Sequence, residues 1–399
     1  MGGSRRARYH ALASTANKIL KQKRRAHKGA RAWSRSLPSL SERSKSPLQE
    51  QASSEHKTTD RYTFNIDPAH MDPMGSWSKD KIAQSRQENP YMMTWVPGKN
   101  RTKYPVLSHG EGVYVYDTNG KQYLDWTSQA VSNNIGHSLP QEIIDAAAQQ
   151  MSTLAFTFGG VGITEVRVRL TQLLGEMLPG DLRAAVYPSS GAEANEAGIM
   201  MARRYTGRQK VISWYRSYHG ATAHAGAATG DFRRWYGSDY TTGFVKAFNP
   251  FPLFFNHGGN GATEEERVQS ALAMLEEQIL NEGPDNIASI ILEPIVGAGG
   301  CLIMPPGYMQ GVRAICDEYG ILMHVDEVMV GFGRTGKLFG FENYEGVQPD
   351  ILVAGKGLAG AALPLSLTAC NEKIMNYFED HPLGWGATYQ AHPVALAAA

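Results

Sequence analysis

The chain predicts an α/β protein built on a mostly parallel sheet, and three observations point there. Short apolar runs of four to six residues recur at 211–214, 287–292, 321–325 and 351–354. Helix-length stretches of eleven to eighteen residues at 141–151, 164–177, 264–281 and 308–319 alternate with them. Strands joined by helices of that length form crossovers that cover both faces of a sheet. A chain of 399 residues with 42% apolar content can also bury a core large enough for more than one lobe.

Taken in order, residues 1–41 hold 11 Lys or Arg and no acid, the first carboxylate being Glu42. The net charge of +1 hides this: 39 basic residues less those 11 leaves 28 against 38 acidic ones, about −10 for the remainder. A basic, acid-free segment bearing Ser and Ala, with no apolar stretch, has the composition of an organelle transit segment. That predicts a mitochondrial location, and otherwise a cytoplasmic one. A disordered tail and a nucleic-acid patch around KQKRR at 21–25 remain open alternatives. Residues 42 to about 85 are rich in Ser, Lys and Gln and read as linker, so 1–88 is taken as leader and linker.

From Asn89 the text changes. PYMMTWVPG at 90–98 is aromatic and apolar, and GVYVYDTNGKQYLDW at 112–126 alternates in period two around Asn119-Gly120, which predicts a β-hairpin. Residues 89–150 are assigned to a small lobe and 151–399 to a large domain. No run of eighteen apolar residues occurs, so no spanning helix is expected. Cys301, Cys316 and Cys370 have neither metal-site spacing nor the density of a disulfide scaffold, which points to a reducing intracellular compartment and no bound metal.

The chemistry is concentrated at strand ends. LMHVDEV at 322–328 closes an apolar strand on Asp326, and AGKGLAG at 354–360 places Lys356 among glycines thirty residues later. A lysine amine that forms a Schiff base and a carboxylate that keeps a pyridine nitrogen protonated are what a pyridoxal 5'-phosphate (PLP) site needs. SSGAEANEAG at 189–198 makes a small-residue turn at a helix start, where backbone N–H groups approach a phosphate. SYHG at 217–220 puts Tyr218 at a strand end, able to lie flat on a planar ring. ILEPIVGAGG at 291–300 closes on Glu293, and GATYQAHP at 386–393 offers the Thr388 hydroxyl in a turn. Singly, each fits an ordinary structural role, a capped helix or a half-buried tyrosine.

In this order and spacing the motifs resemble the class III aminotransferases, a branch of the PLP fold type I enzymes, from about Asn89 to Ala399. The resemblance implies that Lys356 and Asp326 are catalytic, the one carrying the cofactor and the other holding its ring nitrogen. It implies that Ser190, Gly191 and Ala192 form a phosphate cup and that Val328 and Tyr218 flank the ring. Glu293 then stands near the cofactor, and Thr388 reaches the phosphate of a neighbouring subunit, so a homodimer is implied. The implied fold has a mostly parallel sheet in the large domain and an α+β small lobe, here incomplete, because the carboxy-terminal lobe of relatives is absent. Trp95 falls in a region that lines the substrate entrance of relatives.

Three positions depart from the pattern. Many relatives have serine where Ala192 stands, and a glutamine often follows the ring-packing valine, where this chain has Met329. The GABA and ornithine branches carry a glutamate five residues after the EP glutamate; here it is Ala298, which points towards the ω-amino acid:pyruvate and taurine-type branches. The implied activity moves an amino group from an ω-amino acid or amine to pyruvate or another oxo acid, with no nucleic-acid or membrane partner. A PLP-dependent mutase, lyase or decarboxylase on the same scaffold, or a truncated non-catalytic PLP-binding subunit, remain the alternatives.

Overall fold

A computed structural model describes residues 77–237 and 241–399. The basic leader, and most of the segment read as linker, lie outside the described residues. At the linker's end the structure corrects the reading: helix α1 spans Lys79–Glu88. Ser78 caps it by accepting a hydrogen bond from Lys81 N, Asp80 sits in the first turn and Arg86 in the last, and no residue of it is buried. The helix is held by its cap and end charges rather than by an apolar stripe, so hydrophobic periodicity carried no sign of it.

Strands β1 (Leu107–Glu111), β2 (Tyr114–Asp117) and β3 (Gln122–Leu124) form a small antiparallel sheet in that order. The predicted hairpin is its second half, with Tyr114 opposite Leu124 and Tyr116 opposite Gln122. Asp117 Oδ1 accepts from Asn119 N and Lys121 N, and Gly120 takes φ +79°, so the turn residues supply their own geometry.

Helices α2 (Gln141–Leu154) and α3 (Glu165–Met177) then lead into the main sheet. Its strands are β4 (Leu182–Val186), β5 (Lys210–Trp214), β6 (Phe244–Ala247), β7 (Ile287–Leu292), β10 (Leu322–Asp326), β11 (Ile351–Ala354) and β12 (Leu367–Asn371), in spatial order β4-β12-β11-β10-β7-β5-β6. Strands β8 (Ile295–Val296) and β9 (Leu302–Ile303) make a separate ribbon. Pairings among β6, β5, β7, β10 and β11 are all parallel, and β12 alone runs against both its neighbours. Strand β12 was not expected: its Thr368, Ala369 and Cys370 are small, and only burial between β11 and β4 makes them a strand.

The sheet is apolar on both faces, as a covered parallel sheet must be. One face sends Ile212, Ile290, Leu292, Met323, Val325, Leu352 and Leu367 into the main core with side chains of α3, α5 (Glu264–Glu282) and α6 (Tyr308–Tyr319). The other face packs Leu322, Ile351 and Cys370 against Met201 and Ala202 of helix α4 (Gly191–Thr206). Each such side chain removed from water contributes about 1.5–3 kcal/mol before chain entropy is set against it. Asp326 and His324 share the parity of Leu322, so β10 aims them at α4.

Residues 78–399 form one compact unit. The small sheet falls within 89–150 and the large one within 151–399, and that division into lobes stays our proposal. Among the described residues, no helix is long and apolar enough to cross a membrane.

Candidate active site

Parallel strands end together, so the turns after β7, β10 and β11 open on one side of the sheet with the start of α4. They surround a cavity of about 480 Å³. Lys356, Asp326, Ser190, Gly191, Ala192, Tyr218, Val328 and Glu293 all line it. Thr388 does not: it lies on an exposed turn, so one chain alone does not bring it to this cavity. Ala298 and Met329, two of the three departures from the family pattern, are both in the wall. Sequence reading missed Asn195, His219 and Ser132, which also line the cavity.

The start of α4 turns its capped first residues towards the cavity. Ser190 is the N-cap, its hydroxyl accepting from Glu193 N at 3.3 Å, while Ser366 Oγ donates to Ser190 O and fixes the turn. The first N–H groups of a helix, here those of Gly191 and Ala192, have no carbonyl one turn earlier to bond. Glycine is required at 191, because a Cβ there would stand 2.7 Å from Val328 Cγ1. Gly220, at φ +135°, likewise has no room: its Cβ would be 2.5 Å from that of Ala192.

Asp326 is buried and held by three donors. Its Oδ2 accepts from Asn195 Nδ2 and His219 Nδ1, each at 2.8 Å, and its Oδ1 from Val328 N at 3.0 Å. A carboxylate only accepts, so the proton of His219 sits on Nδ1. Burial pushes the Asp326 pKa up, but the His219 bond and charge, then the Asn195 and Val328 bonds, outweigh it and the net shift is down. The site therefore keeps an anion in a dry place. Glu293 is different. Burial pushes its carboxyl up to about 7, against the pull of His219 and of its bonds from Gly297 N and Tyr218 N.

Lys356 follows the last residues of β11 with φ +42°, a left-handed backbone that a residue with a side chain adopts only when held there. Burial lowers its amine pKa, and the charges of Asp326 and Glu293 oppose the shift without cancelling it. Tyr218 carries the Arg233 guanidinium over its ring, 4.7 Å from the centroid, and the same guanidinium lies 5.6 Å from the ring of Trp95. This ties the aromatic segment before the small sheet to the cavity wall.

Behind Asp326, His324 is fully buried with neither ring nitrogen bonded, and it crowds α4 so closely that a Cβ on Gly198 would lie 2.6 Å from its Cε1. Burial pushes its pKa down to about 3. The sign follows: the unfolded chain takes up a proton near pH 6.5 and the folded one does not, so this stability is complete above pH 6.5 and is lost as pH falls towards 3. His324→Leu removes that loss. We expect the variant to gain about 3 kcal/mol on the wild type between pH 6.5 and pH 4, read by urea unfolding at the two pH values; parallel curves would refute it.

The donor set fits a phosphorylated aromatic aldehyde whose ring nitrogen is protonated: N–H groups at a helix start, a buried carboxylate already anionic, one amine, and the side chains of Val328 and Tyr218 in the wall. Residues 97–399 match the family model described as Aminotransferase class-III. The chain is 35% identical to an uncharacterized aminotransferase of Bacillus subtilis over 306 residues, 74% of this chain and 68% of that one. It is 36% identical to a taurine–pyruvate aminotransferase of Rhodobacter capsulatus over 286 residues, 69% of this chain and 60% of that one. Among solved structures it resembles a taurine:2-oxoglutarate aminotransferase from Bifidobacterium kashiwanohense, in complex with PLP and glutamate, at 39% identity and TM-score 0.74, covering 82% of this chain and 72% of that one. An (S)-enantioselective omega-transaminase from Thermomicrobium roseum matches at 35% identity and TM-score 0.75, covering 81% and 73%. The chain thus spans 60% to 68% of the length of the two curated relatives.

Proposed function

The chain belongs to the class III aminotransferases, and from that premise we propose that it moves an amino group from an ω-amino acid or amine to pyruvate or another oxo acid, using PLP. Its fold is the PLP fold type I expected of the family, a mostly parallel sheet covered by helices. The observation that carries the reading is the convergence of Lys356, Asp326 and the start of α4 on one cavity.

When bound, the cofactor supplies an aldehyde to take the amino group and a pyridinium ring that withdraws electrons. The N–H groups of Gly191 and Ala192 and the dipole of α4 hold its phosphate. Val328 and Tyr218, both in the cavity wall, would orient the ring. Asp326, kept ionised by His219, Asn195 and Val328, holds the proton on the ring nitrogen. Lys356 would move the other proton: its Nζ, made less basic by burial, would take it from the donor carbon and deliver it to the carbon that bore the cofactor's aldehyde. Ala298 offers no carboxylate in the wall to pair with an arginine, which supports the ω-amino acid:pyruvate and taurine-type branches over the GABA and ornithine branches. The taurine relatives agree with this choice.

Turnover should require an oxo-acid acceptor stoichiometrically: with an amine donor and pyruvate, alanine appears at the rate the donor is consumed. Steady donor loss without pyruvate would sink the transaminase reading in favour of a lyase or decarboxylase.

Two further parts belong to the proposal. A homodimer is supported by exposed apolar side chains at the Thr388 turn, Tyr389 next to it and Phe156, whose ring centroid lies 5.5 Å from that of Tyr389, 62% and 38% exposed; a monomer mass by light scattering would refute it. The basic leader is read as a mitochondrial transit segment, and an unprocessed amino terminus on the organelle-imported protein would refute that.

A further inference from the structure

The loop 125–137, between β3 and α2, reaches the turn that carries Lys356. Its base is fixed: His137 Nε2 lies 2.9 Å from Asp125 Oδ2, and His137 N donates to Gly112 O at 2.7 Å. At its far side Asn134 is exposed, yet its side-chain amide donates to two backbone carbonyls distant in sequence, Phe332 O at 3.2 Å and Gly357 O at 3.3 Å. Both carbonyls belong to turns held in the left-handed region. Phe332 has φ +56°, and Lys356, immediately before Gly357, has φ +42°. Such backbone persists only where its surroundings over-determine it. The fit is close: a Cβ on Gly357 would stand 2.9 Å from Asn134 Nδ2 and 3.1 Å from Phe332 Cβ, and one on Gly360 would be 2.6 Å from Ile135 Cδ1.

We infer that Asn134 is a positioning residue that clamps these two turns together and so holds Lys356 in the cavity wall beside Asp326. The inference deepens the transaminase reading and rests on it for its kinetic arm only. Three amides report the Lys356 turn: Leu358 N bonds to Gly355 O, Gly360 N to Gly357 O and Ala361 N to Lys356 O. In the full chain without cofactor, hydrogen exchange at these amides should accelerate about tenfold in Asn134→Ala. It should accelerate further in Asn134→Asp, whose carboxylate would face two carbonyl oxygens. With PLP bound, kcat should fall about tenfold in Asn134→Ala while KM holds, the signature of a misplaced group rather than of lost binding. Because Asn134 is exposed, the thermal midpoint of each variant should stay within a few degrees of the wild type. Unchanged exchange at the three amides in both variants overturns the clamp, whatever the activity. Faster exchange with an undiminished kcat overturns the positioning of Lys356.

Discussion

Lys356→Ala should reduce turnover by at least about 10⁴-fold, the scale seen when a group that acts in every step is removed. Lys356 is the only amine among the residues lining the cavity, so among them it alone could carry the cofactor as a Schiff base. The substitution should leave the fold intact, since alanine at φ +42° carries the same backbone strain as lysine. Two companions sharpen the test. Lys356→Gly should be equally inactive yet more stable by about 1 kcal/mol, because glycine takes that backbone freely. Lys356→Arg keeps the charge but cannot give up its proton at neutral pH, so it too should be inactive. Steady-state rates alongside circular dichroism decide the matter, and turnover retained in any of the three would remove Lys356 from the mechanism.

Asp326→Asn should cost about 10²–10³-fold in kcat, the range for losing one preorganised charge at a developing centre. The cause is local. Three donors converge on the carboxylate, two on Oδ2 and one on Oδ1. An asparagine can keep its oxygen towards Asn195 and His219, but its amide then meets the Val328 N–H, donor against donor, at a cost of about 1–3 kcal/mol. The neutral amide also has no charge with which to hold a proton on the cofactor ring. Cofactor affinity and kcat should therefore both fall. A kcat within twofold of the wild type would show that Asp326 does not serve the ring nitrogen.

Much of this site was legible in the text of the chain because its parts are local. Asp326 and Lys356 close apolar runs, and Gly191 and Ala192 open a helical one, so strand ends and a helix start were visible before any contact was known. Asn195 and His219 were not, although both sit inside quoted motifs. Their role is a bond to Asp326 across 131 and 107 residues, which no local pattern encodes. Asn134 is harder still, an exposed loop residue whose bonds to Phe332 and Gly357 span 198 and 223 residues. The fold shows the same division. Four of the five parallel strands announced themselves by apolar runs, but β6, with Lys246 inside it, did not, and β12 and α1 depend on burial between neighbours and on a capping serine. Ala298 and Met329 were noticed as departures, but only the structure shows that both line the same cavity as Lys356 and Asp326.

The near-visible absorption spectrum of the full chain with added PLP, recorded before and after β-alanine or taurine with no oxo acid present, tests the central claim most directly. We predict a lysine-bound cofactor band that converts to the aminated cofactor when the donor is added and returns on addition of pyruvate. A band that forms but answers to no amine, or no band at all with a folded chain, would contradict the transaminase assignment.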